Sequence, residues 1–483
     1  MSRMDKIASS FAWNFSYQIV QALVNLVVSI VLARLMLPSE FGLIGMIAVF
    51  VAVGEALING GLTASLTRAE NPDQADYSTV FFINLGVGIL LYILVFATAP
   101  LVADFFHQKI LTPILRVYMT CTIVFAFSAV QCTKLYRELN FKFITVCQMP
   151  ALVISGLLGI VMAYYGCGVW SLVAMYLARA ALFTIFLWIG TDWKPSFVFD
   201  RRKLNTHFNF GYKILLTTIM DKVYQNLYNL VIGRSFSATQ LGYYTRAFTL
   251  VQVPVQGLAD PLYNVTLPAL AAIQNDNLRL QVSYRKLMQQ TLFVIVPVLT
   301  MMIITADPLF RLLLTDKWLP AIPYFRILCV AGMLNTVNGY NLNILLVKGR
   351  SDLYLRVSFI EKVFITIGIL STFAFGIYGL LYFQVASTIA MFLVNSSIGG
   401  KLIHYSGLSQ VKDVYHIFLI ALPAAAAAAL LDHYWGDPFP GKWGYFIRIS
   451  AVCSCFIACF IGVCMARKIQ EIQDFRDLVK RLI

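Results

Sequence analysis

The chain has 483 residues, of which 59% are hydrophobic and only 12% charged, with a formal net charge of +14. A soluble globular protein carries about 25% charged residues, so there are too few here to cover a water-exposed surface, and a soluble fold is excluded. The Lys and Arg residues are spread over connections between apolar runs rather than gathered in one stripe, which sets nucleic acid aside as a partner and leaves membrane lipid.

A membrane-crossing helix needs about 20 mostly apolar residues. By that measure the chain holds about fourteen spans, at roughly 11–35, 42–66, 79–102, 112–133, 146–165, 168–190, 211–233, 246–272, 287–305, 321–347, 355–375, 378–400, 413–430 and 445–466. Ser2 to Lys6 lead straight into the first, which is too long for the core of a signal peptide and lacks a small-residue cleavage site, so no cleavable leader is read. The eighth contains Pro254, Pro261 and Pro268 and the tenth is rich in Asn; these two are where kinking or partial unwinding is expected.

Orientation follows from the basic residues. With the N-terminus inside, twenty-four of the 37 Lys and Arg fall on the inner face and six on the outer face. That bias places both termini in the cytoplasm of a multi-pass inner-membrane protein. The longest basic connection, around 191–213, reads as a cytoplasmic joint between two halves. Beyond residue 467, Ile469, Ile472, Phe475, Leu478 and Leu482 recur at helical spacing among basic residues, as an amphipathic helix on the inner face would require.

The chain repeats itself at an offset of 200. "ARLMLPSEFGLIGMIAVF" (33–50) aligns with "GRSFSATQLGYYTRAFTL" (233–250), pairing Arg34 with Arg234, Glu40 with Gln240 and Gly42 with Gly242. Upstream, Gln21, Asn25 and Ser29 fall opposite Asp221, Gln225 and Asn229. In each copy the polar residues recur every four positions, so they share one helix face. Six spans separate the copies, which therefore have the same orientation: a parallel repeat about an axis along the membrane normal.

Polar groups inside the membrane are costly, about 2.5–3.5 kcal/mol for a charged residue on insertion scales, and mark functional positions. Gln252, Gln256, Asp260 and Asn264 form another stripe, on the eighth span. Stripes on the first, second, seventh and eighth spans would line one hydrated central cleft. Arg179, Lys222 and Arg246 are the candidates for meeting an anionic ligand, with Gln21, Asn25, Gln225, Asn229 and Asn338 as amide partners. Glu55, Asp221 and Asp260 are the carboxylates able to take a coupling proton or sodium ion. The opposing reading is that these groups pair with one another as interhelical glue.

No phosphate-loop, HExxH or GxSxG signature is present, so no catalytic residues are assigned and the energy for transport is expected from a gradient. Cys453, Cys455, Cys459 and Cys464 lie in one apolar run and read as small packing residues, with no metal site and no cofactor expected.

"LARLMLPSEFGLIGM", "LGYYTRAFTL", "LPALAAIQNDNLRLQVSYRKLM" and "DKWLPAIPYFRILCVAGMLNTVNGYNLNILLVKGR" resemble the polysaccharide transporter (Wzx/colanic-acid exporter-like) family of the MOP flippase superfamily, over nearly the whole chain. The resemblance implies an all-α membrane fold of two pseudo-symmetric six-helix lobes, 1–200 and 201–402, followed by two further helices and the tail in 403–483. It further implies alternating access, with an oligosaccharide repeat unit on undecaprenyl diphosphate as cargo, and it points to Arg246 of "YYTRA". Polysaccharide polymerase machinery is a further partner expected on these grounds. A small-molecule or drug antiporter of the same superfamily and a membrane glycan polymerase are the alternatives.

Overall fold

A computed structural model describes the backbone of residues 3–435 and 441–467; the side chains of 3–17, 19 and 258–269 are outside the described set. The amphipathic tail expected after 467 therefore lies outside the described residues, as do the side chains of Asp260 and Asn264. Contacts divide the chain into two compact units, 1–245 and 246–483.

Every described element is helical. The first unit contains α1 (Arg3–Leu35), α2 (Pro38–Asn59), α3 (Leu62–Arg68), α4 (Gln74–Phe105), α5 (Leu111–Tyr118), α6 (Thr120–Arg137), α7 (Phe141–Tyr164), α8 (Val169–Gly190), α9 (Arg201–Gln225) and α10 (Leu227–Ser235). The long α11 (Ala238–Ala272) begins in it. The second unit continues with α12 (Asn277–Ile304), α13 (Ala306–Leu313), α14 (Ile322–Val347), α15 (Ser351–Thr372), α16 (Gly376–Leu402), α17 (Gly407–His433) and α18 (Gly441–Ala466). Taking α2 with α3, α5 with α6 and α9 with α10 as broken single spans, and α13 as a short helix before α14, the order reproduces the fourteen expected spans. Among the described residues, ten stretches are long and apolar enough to cross a membrane, and one of these, Ser351–Leu402, holds both α15 and α16. The protein is an all-α, multi-pass membrane protein.

Some expectations change in detail. The seventh span was expected at 211–233; its helix starts at Arg201 and breaks at Asn226, where the Asn226 side chain turns back to donate to the Lys222 carbonyl at 3.0 Å. The Pro-rich α11 and the Asn-rich α14 are both helical throughout, so neither is unwound. Neighbouring helices and local adjustments can satisfy the backbone groups that a proline frees in a membrane helix.

The basic connection after α8 is firmly held. Trp193 Nε1 donates to Gln74 Oε1 at 2.7 Å, and Gln74 Nε2 donates to the Lys194 carbonyl at 2.7 Å. Asp200 then caps α9 by accepting from the Arg202 amide at 2.8 Å. Lys203 Nζ reaches Asp76 Oδ2 at 3.0 Å and also contacts Asp73, tying the start of α9 to the start of α4.

The repeat has a structural counterpart. Glu40 accepts from the Leu37 amide at 2.7 Å, and Gln240, its partner at offset 200, accepts from the Ser237 amide at 3.2 Å. Each side chain reaches back to cap the N-terminus of its own helix. Gly42 and Gly242 mark where α2 crosses α11. A Cβ added at Gly42 would overlap the Ala238 carbonyl, and one added at Gly242 would overlap the Pro38 carbonyl. Only glycine lets the two backbones approach this closely.

In the second unit, Trp318, Phe310 and Phe325 are completely buried, the two phenylalanines 5.2 Å apart edge to face. Tyr284 donates to Asn341 Oδ1 at 2.7 Å between α12 and α14. Arg448 Nε and Asp432 Oδ1 pair at 2.8 Å between α18 and α17.

Candidate functional site

Inside the first unit, five helices leave a cavity of about 580 Å³. The lining repeats at helical spacing on each element. Glu55 and Asn59 of α2 continue through Thr63 and Thr67 of α3, every four residues across the break at Gly60 and Gly61. Helix α6 contributes Phe125, Ser128, Cys132, Thr133 and Tyr136; α7 contributes Gln148; α8 contributes Tyr176, Arg179 and Phe183. Ala64, Ala129, Ala151 and Ala180 complete the wall, and their small side chains leave the space open.

Polar groups in this cavity fall into two kinds. The Tyr176 hydroxyl donates to Glu55 Oε1, and its ring stacks on Tyr118 at 4.7 Å, so the carboxylate is held on one side. The Thr67 and Thr133 hydroxyls donate to carbonyls in their own helices, at 2.9 and 2.8 Å. Arg179 lies one turn beyond Tyr176 and is half-buried. Among the described residues its guanidinium makes no hydrogen bond or ion pair, and the side-chain amides of Asn59 and Gln148 make none either. One arginine and two amides thus offer open hydrogen-bonding capacity to one shared space in the membrane-crossing part of the fold.

Of the residues singled out from the sequence, the structure brings Glu55 and Arg179 together here. The others are elsewhere. On α1, Gln21 is half-buried and Asn25 exposed; on α9, Asp221 and Gln225 are exposed and Lys222 is half-buried. Asn229 of α10 donates to Asn226 Oδ1 at 3.2 Å. Arg246 is 4% exposed, with its guanidinium 5.8 Å from the Trp318 ring centre in the second unit. Asn338, also buried there, donates to the Thr388 carbonyl at 3.1 Å. Asp260 is outside the described side chains.

Sequence reasoning missed Tyr176 and Gln148. A single Tyr or Gln in an apolar span carries no pattern, although Tyr176 and Arg179 are three apart and so share a face. It also passed over Glu361 and the adjacent Lys362, both half-buried near the middle of α15. That pair was detectable as a charge interruption in an apolar run. Among the described residues no group of His, Cys, Asp and Glu could hold a metal ion.

Residues 31–323 match a family described as "Polysaccharide biosynthesis protein". The chain is 25% identical over 402 residues to the lipopolysaccharide biosynthesis protein WzxC of Escherichia coli (strain K12), covering 82% of each chain. It is 23% identical over 302 residues to the succinoglycan biosynthesis transport protein ExoT of Rhizobium meliloti (strain 1021), covering 62% of this chain and 61% of ExoT. Among solved structures, the lipid II flippase MurJ in an inward closed conformation has a similar fold, with a TM-score of 0.74 at 15% identity over 96% of this chain and 99% of MurJ.

Proposed function

Because the chain belongs to the polysaccharide biosynthesis protein family, we propose that it is a flippase that moves undecaprenyl-diphosphate-linked oligosaccharide repeat units across the bacterial inner membrane, for capsule, exopolysaccharide or O-antigen export. The observation that carries the reading is Arg179, whose guanidinium makes no hydrogen bond or ion pair among the described residues, in a polar cavity among membrane-crossing helices. A charge placed there without a protein partner is costly to keep. A polar, transported ligand gives it a purpose that lipid-facing packing does not. The relatives named for lipopolysaccharide biosynthesis and for succinoglycan biosynthesis transport support a glycan-bearing ligand.

The carrier's diphosphate seeks cations, and Lys222 of the first unit and Arg246 of the second are our candidates for it, with Gln21, Asn25, Gln225, Asn229 and Asn338 as candidate amide partners. A proton or sodium ion bound at Glu55, Asp221 or Asp260 drives alternation between the two sides. Both termini are cytoplasmic, and the exported units pass to polysaccharide polymerase machinery.

Deleting the gene in its host tests this directly. The expected result is loss of one surface polysaccharide, with its lipid-linked repeat unit accumulating on the inner leaflet, and rescue by the intact gene. Unchanged polysaccharide together with new sensitivity to cationic dyes would point to a drug antiporter. Repeat units reaching the outer leaflet but remaining unpolymerised would point to a polymerase.

A further inference from the structure

The cavity of the first unit does not suit every part of such a substrate equally. Its charged lining is one carboxyl group, Glu55, and one guanidinium, Arg179, so whenever Glu55 is ionised it carries no net charge. A diphosphate entering it would meet the Glu55 carboxylate as well as the arginine, and like charges in a low-dielectric space repel strongly. A prenyl chain fits no better, because it would leave Arg179, Asn59 and Gln148 desolvated and unpaired, at about 1–3 kcal/mol or more for each group. The coupling-ion reading uses Glu55 but gives no role to the two open amides or to the volume.

What the lining does match is a sugar. Asn59 and Gln148 each offer two N–H donors and a carbonyl acceptor, Arg179 offers five donors, and the Thr67 and Thr133 hydroxyls retain acceptor lone pairs. Sugar hydroxyls are donors and acceptors at once, and can replace the waters of a polar cavity bond for bond. Phe125, Tyr136 and Phe183 add ring faces and edges on which the C–H side of a pyranose can lie. The volume, about 580 Å³, falls within the roughly 300–1,000 Å³ of small-molecule sites. The cavity also reaches the surface. Tyr136 is 44% exposed where α6 ends, and the adjacent Arg137 donates to the Leu66 and Thr67 carbonyls at 2.8 Å, holding the end of α3 beside it. By the charge bias this is the cytoplasmic end.

We propose that this cavity is a sugar subsite: it receives the glycan end of the lipid-linked substrate from the cytoplasmic side, while the diphosphate and prenyl chain remain outside it. This rests on the flippase reading and adds which part of the substrate is held within the first unit. Asn59, Gln148 and Arg179 then set which glycan is accepted, through the hydroxyl pattern that their donors and acceptors can meet.

The test compares two ligands on the full-length protein in lipid nanodiscs: bare undecaprenyl diphosphate, and the lipid-linked repeat unit extracted from the deletion strain. Binding is read by native mass spectrometry or by quenching of tryptophan fluorescence. Asn59→Leu and Gln148→Leu, which remove the amides and keep the volume, are expected to weaken binding of the glycolipid by about tenfold or more, while binding of undecaprenyl diphosphate stays within about twofold. Retained binding of the bare carrier shows that the variants are folded; should one fail that check, Asn59→Ala or Gln148→Ala replaces it. Equal losses for both ligands, or no loss for either, would overturn the sugar subsite and leave the flippase reading standing. A wild-type protein that binds neither ligand would overturn the flippase reading itself.

Discussion

The crossing of α2 and α11 gives the sharpest quantitative test of the repeat. A Cβ at position 42 would sit 1.8 Å from the Ala238 carbonyl oxygen, and one at position 242 would sit 1.8 Å from the Pro38 carbonyl oxygen. Ordinary non-bonded contacts lie at about 3.5 Å, so either Gly→Ala substitution must push the two backbones apart by roughly 1.5 Å. Forcing a methyl group into packed structure costs about 1–3 kcal/mol. Because both substitutions widen the same gap, the second should cost less than the first, and a double-mutant cycle should be sub-additive by about 0.5–3 kcal/mol. Gly86 on α4, where an added Cβ meets nothing within 4 Å, is the control. There Ala should be neutral or stabilise by up to about 1 kcal/mol. The assay is reversible unfolding of the purified protein in mixed micelles, followed by tryptophan fluorescence. Single variants at 42 and 242 as stable as the Gly86 control, or costs that simply add, would refute the tight reciprocal crossing.

Other expectations follow from particular contacts. Arg448→Ala should destabilise by about 3–5 kcal/mol, because it strands Asp432, whose side chain is only 17% exposed; replacing both partners by apolar residues should recover most of the loss in the same unfolding assay. Tyr176→Phe removes the hydroxyl that donates to Glu55; the expected result is normal insertion with export reduced severalfold in the complemented deletion strain. The hydrogen bond from Lys203 and the amide of Asp76 hold the Asp73 carboxyl down at about 2. Its folded value thus lies below the unfolded value of about 3.9, so the stability it lends is fully present above that pH and lost as pH falls toward 2. Because the Asp73 side chain is 62% exposed, the effect should be under about 1 kcal/mol, and Lys203→Ala should flatten the acid dependence of the unfolding midpoint.

The sequence by itself determined the class and the count. Fourteen apolar runs must become helices in a bilayer, because no other open-chain structure satisfies every backbone group there, and the helices follow those runs in order. The offset-200 alignment also carried real structural content. Glu40 and Gln240 cap their helices in the same way, and Gly42 and Gly242 meet each other's hairpins, because local caps and close approaches depend on residue type and spacing alone.

Only the tertiary structure decided which intramembrane polar groups share a space. Glu55 lies on α2, far along the chain from Gln148 and Arg179 on the consecutive α7 and α8, and nothing in their own spans says that they face one cavity. The same holds for Arg246, which the sequence marks as an open charge and the packing places against Trp318. Helical periodicity fixes the face on which a side chain lies; which neighbour that face meets depends on where small residues such as Gly42 and Gly242 let helices approach, and that is a property of the packed helices together.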